Sequence, residues 1–259
     1  MHEASLYEDN CFITLTFDDK HLVDNRSLKV SDFQNFMKRL RQYIKPNRVR
    51  FFHCGEYGAK FARPHHHACL FGYDFPDKVA FNSNVSTSGI LQKLWPYGFS
   101  TVGKVTFESA AYVARYVLKK WPKDDEYRGS DLYEAMKVQN NPKTKAEFYG
   151  LLKPEYITMS RRPGIGDEWY KKFGSDVYPG GFCVVGDKKV KPPRFYDSKF
   201  ELDNVVDFAK MKVSRLKGAQ ANSNNSPARL AVREELKLRL TNTFLTRGYE
   251  DEVRSVQYS

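Results

Sequence analysis

Apolar and polar side chains alternate from Cys11 to Phe17, where β-branched and aromatic residues predict a strand that stops before Asp18. The next apolar pattern has the helical period. It predicts a helix that begins at Ser31, with Gln34 completing a capping box, and that ends before Pro46. The apolar stripe expected to face the core comprises Phe33, Phe36, Met37, Leu40 and Ile44.

Two further strands are predicted at Arg48–Cys54 and His65–Gly72. The turn-rich residues 55–60 between them indicate a hairpin with a loose connection. Another strand is expected at Ser100–Thr106, followed by a helix at Glu108–Lys120. This order of elements predicts an α+β domain built on one antiparallel sheet with helices on a face.

The remaining segments carry weaker patterns. Residues 74–99 are expected to be irregular, with a short helix near 91–95, and the polar residues 122–154 are expected to form a surface insertion. From about residue 197 the chain is highly charged. Residues 219–225 are expected to be a linker, and Ser226 followed by a proline predicts the start of a helix.

Charge and composition favour a polyanionic partner. The 259 residues carry a formal net charge of +11, and 15% of them are aromatic. Basic side chains release counterions from phosphates while aromatic rings stack on exposed bases. No apolar stretch reaches the length of about 18 residues that a membrane span needs, and no secretory signal is visible, so we expect a cytosolic protein without a membrane partner. The four widely spaced cysteines are expected to be reduced.

Three consecutive histidines lie on the strand predicted at 65–72. Because side chains alternate, His65 and His67 are expected to share one face and His66 to lie on the other. Glu56, across the hairpin, brings a carboxylate to the two imidazoles, and this mixed donor set suits Mn²⁺ or Mg²⁺. Two alternatives stay open: a histidine cluster without metal, and a zinc site that recruits Cys54 or Cys69.

The helix predicted at 108–120 carries a second group of chemical interest. Tyr112, Tyr116 and Lys119 lie within about 60° of one another around the helix axis, while the apolar residues cluster on the opposite side. The alternative is ordinary packing of aromatic residues one turn apart, with Arg115 and Lys119 reaching to solvent. Beside a metal, a phenol is a competent nucleophile, so the two groups together indicate phosphodiester transesterification in which a tyrosine takes a 5′ phosphate.

Three ordered motifs resemble those of HUH endonucleases that initiate rolling-circle replication, and the likeness is strongest to the replication initiators of Microviridae phages, particularly the gokushovirus group. The motifs are the strand at 12–17, residues 63–71 around the three histidines, and residues 112–119. Similar phrases occur at 94–100 and 158–166. One departure is His66, which stands where the family triplet has a hydrophobic residue.

The resemblance implies a five-stranded antiparallel sheet with an RRM-like, ferredoxin-like layout. It implies that residues 1–196 form the endonuclease domain and that residues 197–259 form a basic helical region. It further implies the following roles: metal ligands His65 and His67 with Glu56 as a less uniform third ligand, alternating nucleophiles Tyr112 and Tyr116, and Lys119 as the lysine that follows the catalytic tyrosine.

The expected function is therefore site-specific nicking and strand transfer of single-stranded DNA at a viral replication origin, in the cytoplasm of a bacterial host. No P-loop occurs in the sequence, so a host helicase and host replication machinery are expected partners. Expected DNA contacts are Arg115, Lys120, Arg161 and Arg162, the last two on a loop that is equally typical of a plain solvated turn. A non-catalytic RRM-like nucleic-acid-binding protein and a structural zinc protein are the alternatives.

Overall fold

The structure is a computed structural model that describes residues 1–22, 27–58, 63–118, 153, 155–178, 180–185 and 187–240. The chain forms two compact units that divide between Ile165 and Gly166. The sequence analysis placed its functional division between residues 196 and 197, and that division stays a prediction. The insertion expected at 122–154 lies almost entirely outside the described residues.

The first unit is built on a seven-stranded antiparallel sheet in the order β4-β5-β6-β1-β3-β2-β7. Its strands are β1 (Asn10–Thr16), β2 (Arg50–Tyr57), β3 (Pro64–Phe71), β4 (Lys78–Ala80), β5 (Val85–Ser88), β6 (Ser100–Gly103) and β7 (Tyr156–Met159). The α+β class and the β2–β3 hairpin are confirmed. The count of five strands is wrong, because β4 and β5 form a further hairpin inside the segment expected to be irregular.

Helix α1 (Val30–Tyr43) covers one face of the sheet. All five residues of its predicted apolar stripe are buried, and they pack against the inward side chains of β1 and β3, including Ile13, Leu15 and Leu70. The predicted capping box is wrong: the N-cap is Lys29, which makes no side-chain cap, and Ser31 lies within the first turn. Burial of the stripe therefore stabilises this helix without a side-chain cap at its start.

The short helix α2 (Gly89–Leu94) begins where predicted structure was sparse. Ser88 caps it by accepting a hydrogen bond from the Leu91 amide. Trp95 follows directly and is fully buried in the core under α1, where its indole donates to the Thr16 carbonyl at 2.8 Å. This contact attaches α2 to the end of β1.

Helix α3 (Phe107–Leu118) packs on the opposite face of the sheet. Val113 is fully buried there, in a cluster with Cys54, Cys69 and Phe71. The two faces of the sheet are thus a thick apolar core under α1 and a smaller, more polar layer under α3. All four cysteines are buried thiols.

The second unit is mainly helical and confirms the helical C-terminal region. It contains α4 (Asp167–Val177), the hairpin of β8 (Cys183–Val185) and β9 (Lys188–Val190), α5 (Arg194–Asp203), α6 (Val205–Ala221) and α7 (227–240). Its core is rich in aromatic rings, with Tyr178 stacked on Phe200 at 4.0 Å between centroids. The linker expected at 219–225 is shorter than predicted, because α6 continues to Ala221. No helix in the described part of the chain is long and apolar enough to cross a membrane.

Candidate active site

Strand β3 presents the three histidines as the period of a strand requires. His67 lies between Thr14 of β1 and Cys54 of β2, and His65 lies between Thr16 and Glu56. His65 and His67 face α3, and their rings are nearly parallel, 6.2 Å apart between centroids. His66 points into the core under α1. The predicted division of the three imidazoles between the faces is confirmed.

The carboxylate of Glu56 is where three elements meet. Its Oε1 atom lies 2.6 Å from Nε2 of His67 on β3. The hydroxyl of Tyr112 on α3 donates to the same oxygen at 2.7 Å. Glu56 is 1% exposed, so both contacts form with little competition from water. The structure therefore brings together three of the predicted site residues in direct contact.

Hydrogen bonds on the far side of each ring fix the orientation of the imidazoles. The Nδ1 atom of His65 lies 2.6 Å from the carbonyl oxygen of Arg63, to which it can only donate. The Nδ1 atom of His67 lies 3.0 Å from the hydroxyl of Thr14. A bond at Nδ1 determines the tautomer, so Nε2 of His65 keeps its lone pair. Thr14 was not predicted as a site residue.

Burial keeps His65 neutral. The loss of solvation lowers the pKa of His65 to about 4, and the neighbouring His67 lowers the pKa further, while Glu56 opposes both effects. At neutral pH this ring is therefore an uncharged imidazole, which is the form that binds a cation.

The chemistry of the donor set fits a divalent cation. Two oriented imidazoles and a buried carboxylate on one sheet face are ligands of the kind that Mn²⁺ accepts. Glu56 and His67 converge, whereas His65 stands one ring away along the strand. Within the described residues, no three His, Cys, Asp or Glu side chains are arranged to hold a metal ion as they stand. The zinc set with Cys54 and Cys69 is accordingly not assembled either; burial raises the pKa of Cys69 to about 12.

Helix α3 directs its tyrosine at this group. The edge of the Tyr112 ring meets His67 at 5.1 Å between centroids, and the guanidinium of Arg115 lies 5.4 Å from the centre of the Tyr112 ring. Tyr116 follows one turn later in α3, but its side chain lies outside the described residues. Lys119 and Lys120 lie outside them altogether.

The predicted phosphate-contacting loop lies at the other end of the sheet. Arg161 and Gly164 form a bridge that closes a turn, and the Arg50 guanidinium holds it by donating to the Gly164 carbonyl at 2.9 Å. Glu3 pairs with Arg50 from behind. Along β2, Arg50 is six residues from Glu56, or roughly 20 Å. Arg161 and Arg162 are exposed there and are not brought to the histidines.

A second imidazole pair lies behind the site and was missed by the sequence analysis. His53 of β2 contacts His66 at 3.1 Å between ring nitrogens, stacks on Phe33 of α1 and bonds Thr158 of β7. Burial lowers the pKa of His53 well below its usual value and that of His66 to about 3. Both rings are neutral members of the core. The signal available in the sequence was the alternation of β2, which puts His53 on the α1 face.

Comparison with known proteins agrees with this arrangement. Residues 10–121 match the family model of the replication-associated protein ORF2, a span that includes Thr14, Glu56, the three histidines and Tyr112. Replication-associated protein VP4 of Bdellovibrio phage phiMH2K is 31% identical over 214 residues, which cover 77% of this chain and 60% of that protein. The chain belongs to the replication-associated protein ORF2 family.

Two further relatives of this ORF2-family protein come from other phages. Replication-associated protein ORF2 of Spiroplasma virus 4 is 29% identical over 208 residues, covering 74% of this chain and 58% of the relative. Replication-associated protein ORF4 of Chlamydia phage 1 is 34% identical over 131 residues, covering 46% and 33%. The chain thus spans 60% or less of the length of these relatives. No solved structure is significantly similar to it. The resemblance to Microviridae replication proteins inferred from the motifs is confirmed.

Proposed function

We propose that this ORF2-family protein nicks single-stranded DNA at a viral replication origin and carries the 5′ phosphate on a tyrosine. The reaction would start and terminate rolling-circle replication of a phage genome in the cytoplasm of the bacterial host. The observation that carries this proposal is the contact of the Tyr112 hydroxyl with Glu56, which in turn contacts His67. A phenol held on a buried carboxylate beside oriented imidazoles has no need of that arrangement for packing alone.

Tyr112 is the nucleophile in this proposal. Its oxygen forms a bond to the phosphorus as the bond from phosphorus to the 3′ oxygen breaks, and its proton passes to Glu56 at 2.7 Å. The departing 3′ oxygen takes a proton and leaves as a hydroxyl. One phosphodiester replaces another, so the linkage is conserved and the 3′ hydroxyl is free to prime synthesis.

His65, His67 and Glu56 would hold the divalent cation, Mn²⁺ or Mg²⁺, which supplies positive charge to the scissile phosphate when bound. The protein contributes the orientation of both rings through the Arg63 carbonyl and the Thr14 hydroxyl. Burial contributes as well, because a neutral His65 does not repel the cation.

Tyr116 is proposed as the second nucleophile, one helical turn from Tyr112, so that a new strand is cut while the first bond is resealed. Lys119 would steady charge on the phosphate. Arg115, Lys120, Arg161 and Arg162 would contact the DNA backbone, the last two away from the cleavage site. A host helicase and host replication proteins would open the duplex and extend the primer.

Covalent capture tests this function. The protein is incubated with Mn²⁺ and labelled single-stranded oligonucleotides that form hairpins, and a denaturing gel resolves any protein–DNA adduct. We expect an adduct whose DNA-linked peptide contains residue 112, by mass spectrometry. Tyr112→Phe should abolish that linkage, and Tyr112→Phe with Tyr116→Phe should abolish every adduct. Tyr43→Phe, on the opposite side of the sheet, is the matched control.

An adduct that survives the double substitution would overturn the assignment of the nucleophiles. Tight binding of the oligonucleotide with no adduct under any divalent cation would instead favour the non-catalytic alternative.

A further inference from the structure

We propose that Phe81 and Phe99 form a stacking platform for bases of the single strand that flanks the cleavage site. This inference rests on the proposed function and deepens it by naming where the strand is held. The two rings contact each other at 5.3 Å between centroids, at an angle of 55°. They are 59% and 47% exposed, so most of each ring is open to solvent.

The stacking platform lies on the same face of the sheet as His65 and His67. In β6, Ser100 and Val102 are buried under α1 and α2, so Thr101 and Phe99 point to the other face. The amide of Thr16 donates to the Phe99 carbonyl at 2.9 Å, and Thr16 is the neighbour of His65 on β3. A continuous row therefore runs from His65 through Thr16 to Phe99.

This row places the stacking platform close to the proposed site of cleavage. Strands are separated by about 4.8 Å, so two steps across the sheet put Phe99 roughly 10 Å from His65. The intervening residue, Thr16, is small and uncharged, and its hydroxyl is directed to the Phe99 carbonyl. A strand whose phosphate reaches the histidines has its neighbouring bases within reach of these rings.

The hairpin of β4 and β5 leaves this part of the face open. Helix α3 packs on β2, β3 and β7, and none of the described helices packs on this face over β4, β5 and β6. Val79, next but one to Phe81, is 66% exposed as well. Large apolar side chains grouped on an open surface usually mark a binding site.

Charge and continuity favour nucleic acid as the occupant. Beside the stacking platform, Tyr97 lines an open cavity of about 470 Å³ that also contains Lys20, His21 and Lys29 with a single acidic residue, Asp32. The cavity extends to Pro64, the residue before His65. Aromatic rings next to cations along a groove are the arrangement by which proteins hold single strands without reading their sequence.

Binding of two oligonucleotides tests the stacking platform. One is an unstructured single strand; the other has the same backbone with abasic sites in its central positions. Fluorescence anisotropy gives the dissociation constant of each for wild type, Phe81→Ala, Phe99→Ala and the double variant. Each alanine is expected to weaken binding of the normal strand by about 5- to 100-fold, in line with the loss of one stacked base.

The abasic strand separates stacking from other effects. Its affinity should change little in the same variants, because its phosphates are intact and it offers no base to the rings. Phe81→Tyr and Phe99→Tyr should retain the affinity of wild type. Tyr43→Ala, an exposed aromatic residue on α1, is the matched control and should bind both strands as wild type does.

Three results would overturn the stacking platform. They are unchanged affinity in the double variant, an equal loss for both strands, and a dimer in wild type that the double variant converts to monomer in sedimentation, which would make the patch a self-association surface. The proposed function fails separately: base-dependent binding through Phe81 and Phe99 without a covalent adduct retains the stacking platform and rejects the nicking activity.

Discussion

Glu56 Oε1 accepts the Tyr112 hydroxyl and lies against His67 Nε2, so a single oxygen connects the nucleophile proposed above to a proposed metal ligand. The opposite edge of His67 is held by Thr14. At the scale of single residues, the site is therefore a chain of hydrogen-bonding groups that runs from β1 through β3 and β2 to α3. A change at Thr14 should reach the chemistry only through the orientation of His67.

Thr14→Val tests that chain. Valine keeps the shape of threonine and removes the hydroxyl, so we expect the fold to persist while the rate of adduct formation at limiting Mn²⁺ falls by about 10- to 100-fold. The rate should recover in part as the Mn²⁺ concentration is raised, because the loss is one of ligand orientation. Titration of the metal in single-turnover reactions measures both effects.

Thr101→Val is the matched control, because Thr101 lies directly opposite Thr14 on β6 and faces the same side of the sheet. It should leave the metal dependence unchanged. Equal behaviour of the two variants would contradict a positioning role for Thr14.

Much of the site was predictable from local patterns. Alternation alone separates His66 from His65 and His67, and the hairpin brings Glu56 to the same face. The partner of Glu56 was not predictable, because its register neighbour is His65 while its side chain reaches diagonally to His67. Thr14 was out of reach for another reason: its contact with His67 depends on pairing between strands 53 residues apart in sequence.

At the scale of elements, the junction of β1 and β6 depends on close approach of two backbones. A Cβ atom at Gly98 would lie 2.5 Å from both the Asp18 nitrogen and the Thr16 oxygen. Neither backbone atom can move without breaking the bonds that join Thr16 to Phe99 and Asp18 to Tyr97. Glycine at this position therefore allows the segment before β6, including Phe99, to lie against β1.

Gly98→Ala should lower the free energy of unfolding by about 1–3 kcal/mol or more, as overpacking against rigid atoms does. Gly103→Ala is the matched control in the same strand: its Cβ would meet nothing closer than 3.6 Å, and we expect a change of less than about 1 kcal/mol. Urea unfolding of both variants measures the difference. A Gly98→Ala protein as stable as wild type would show that the two backbones are free to separate.

The elements themselves divide by the strength of their patterns. The stripe of α1 and the alternation of β1 gave both elements within a residue or two, because each buries one continuous face. The strands β4, β5 and β7 were missed: they are three or four residues long and mostly exposed or half-buried, so no buried face marks them in the sequence. The predicted capping box failed because burial of the stripe, and not the Ser31 side chain, determines where α1 begins.

At the scale of the whole molecule, neutral histidines in the core make stability depend on pH. His53 and His66 have folded pKa values below the unfolded value near 6.5. The unfolded chain therefore binds more protons as the pH falls below about 6.5, and stability present above that pH is lost towards the folded values. We expect a loss approaching 1.4 kcal/mol per pH unit for each ring.

Urea denaturation followed by circular dichroism, at about pH 7 and about pH 5 with a chelator present, measures this loss. The joint variant His53→Phe with His66→Leu should show a shallower dependence on pH. His21→Gln, at an exposed histidine, should keep the slope of wild type. A wild-type free energy of unfolding that is flat over this interval would contradict burial of two uncharged imidazoles.

The position of β1 in the sheet has a consequence for synthesis on the ribosome. It is the first strand to emerge, yet its two neighbours are β3 and β6, whose residues follow roughly 50 to 90 positions later. Until residue 103 has left the exit tunnel, the nascent chain carries an apolar strand with one or both edges unpaired. Such high contact order slows folding, and the interval exposes Ile13 and Leu15 to chaperones before the Glu56–His67 contact can form.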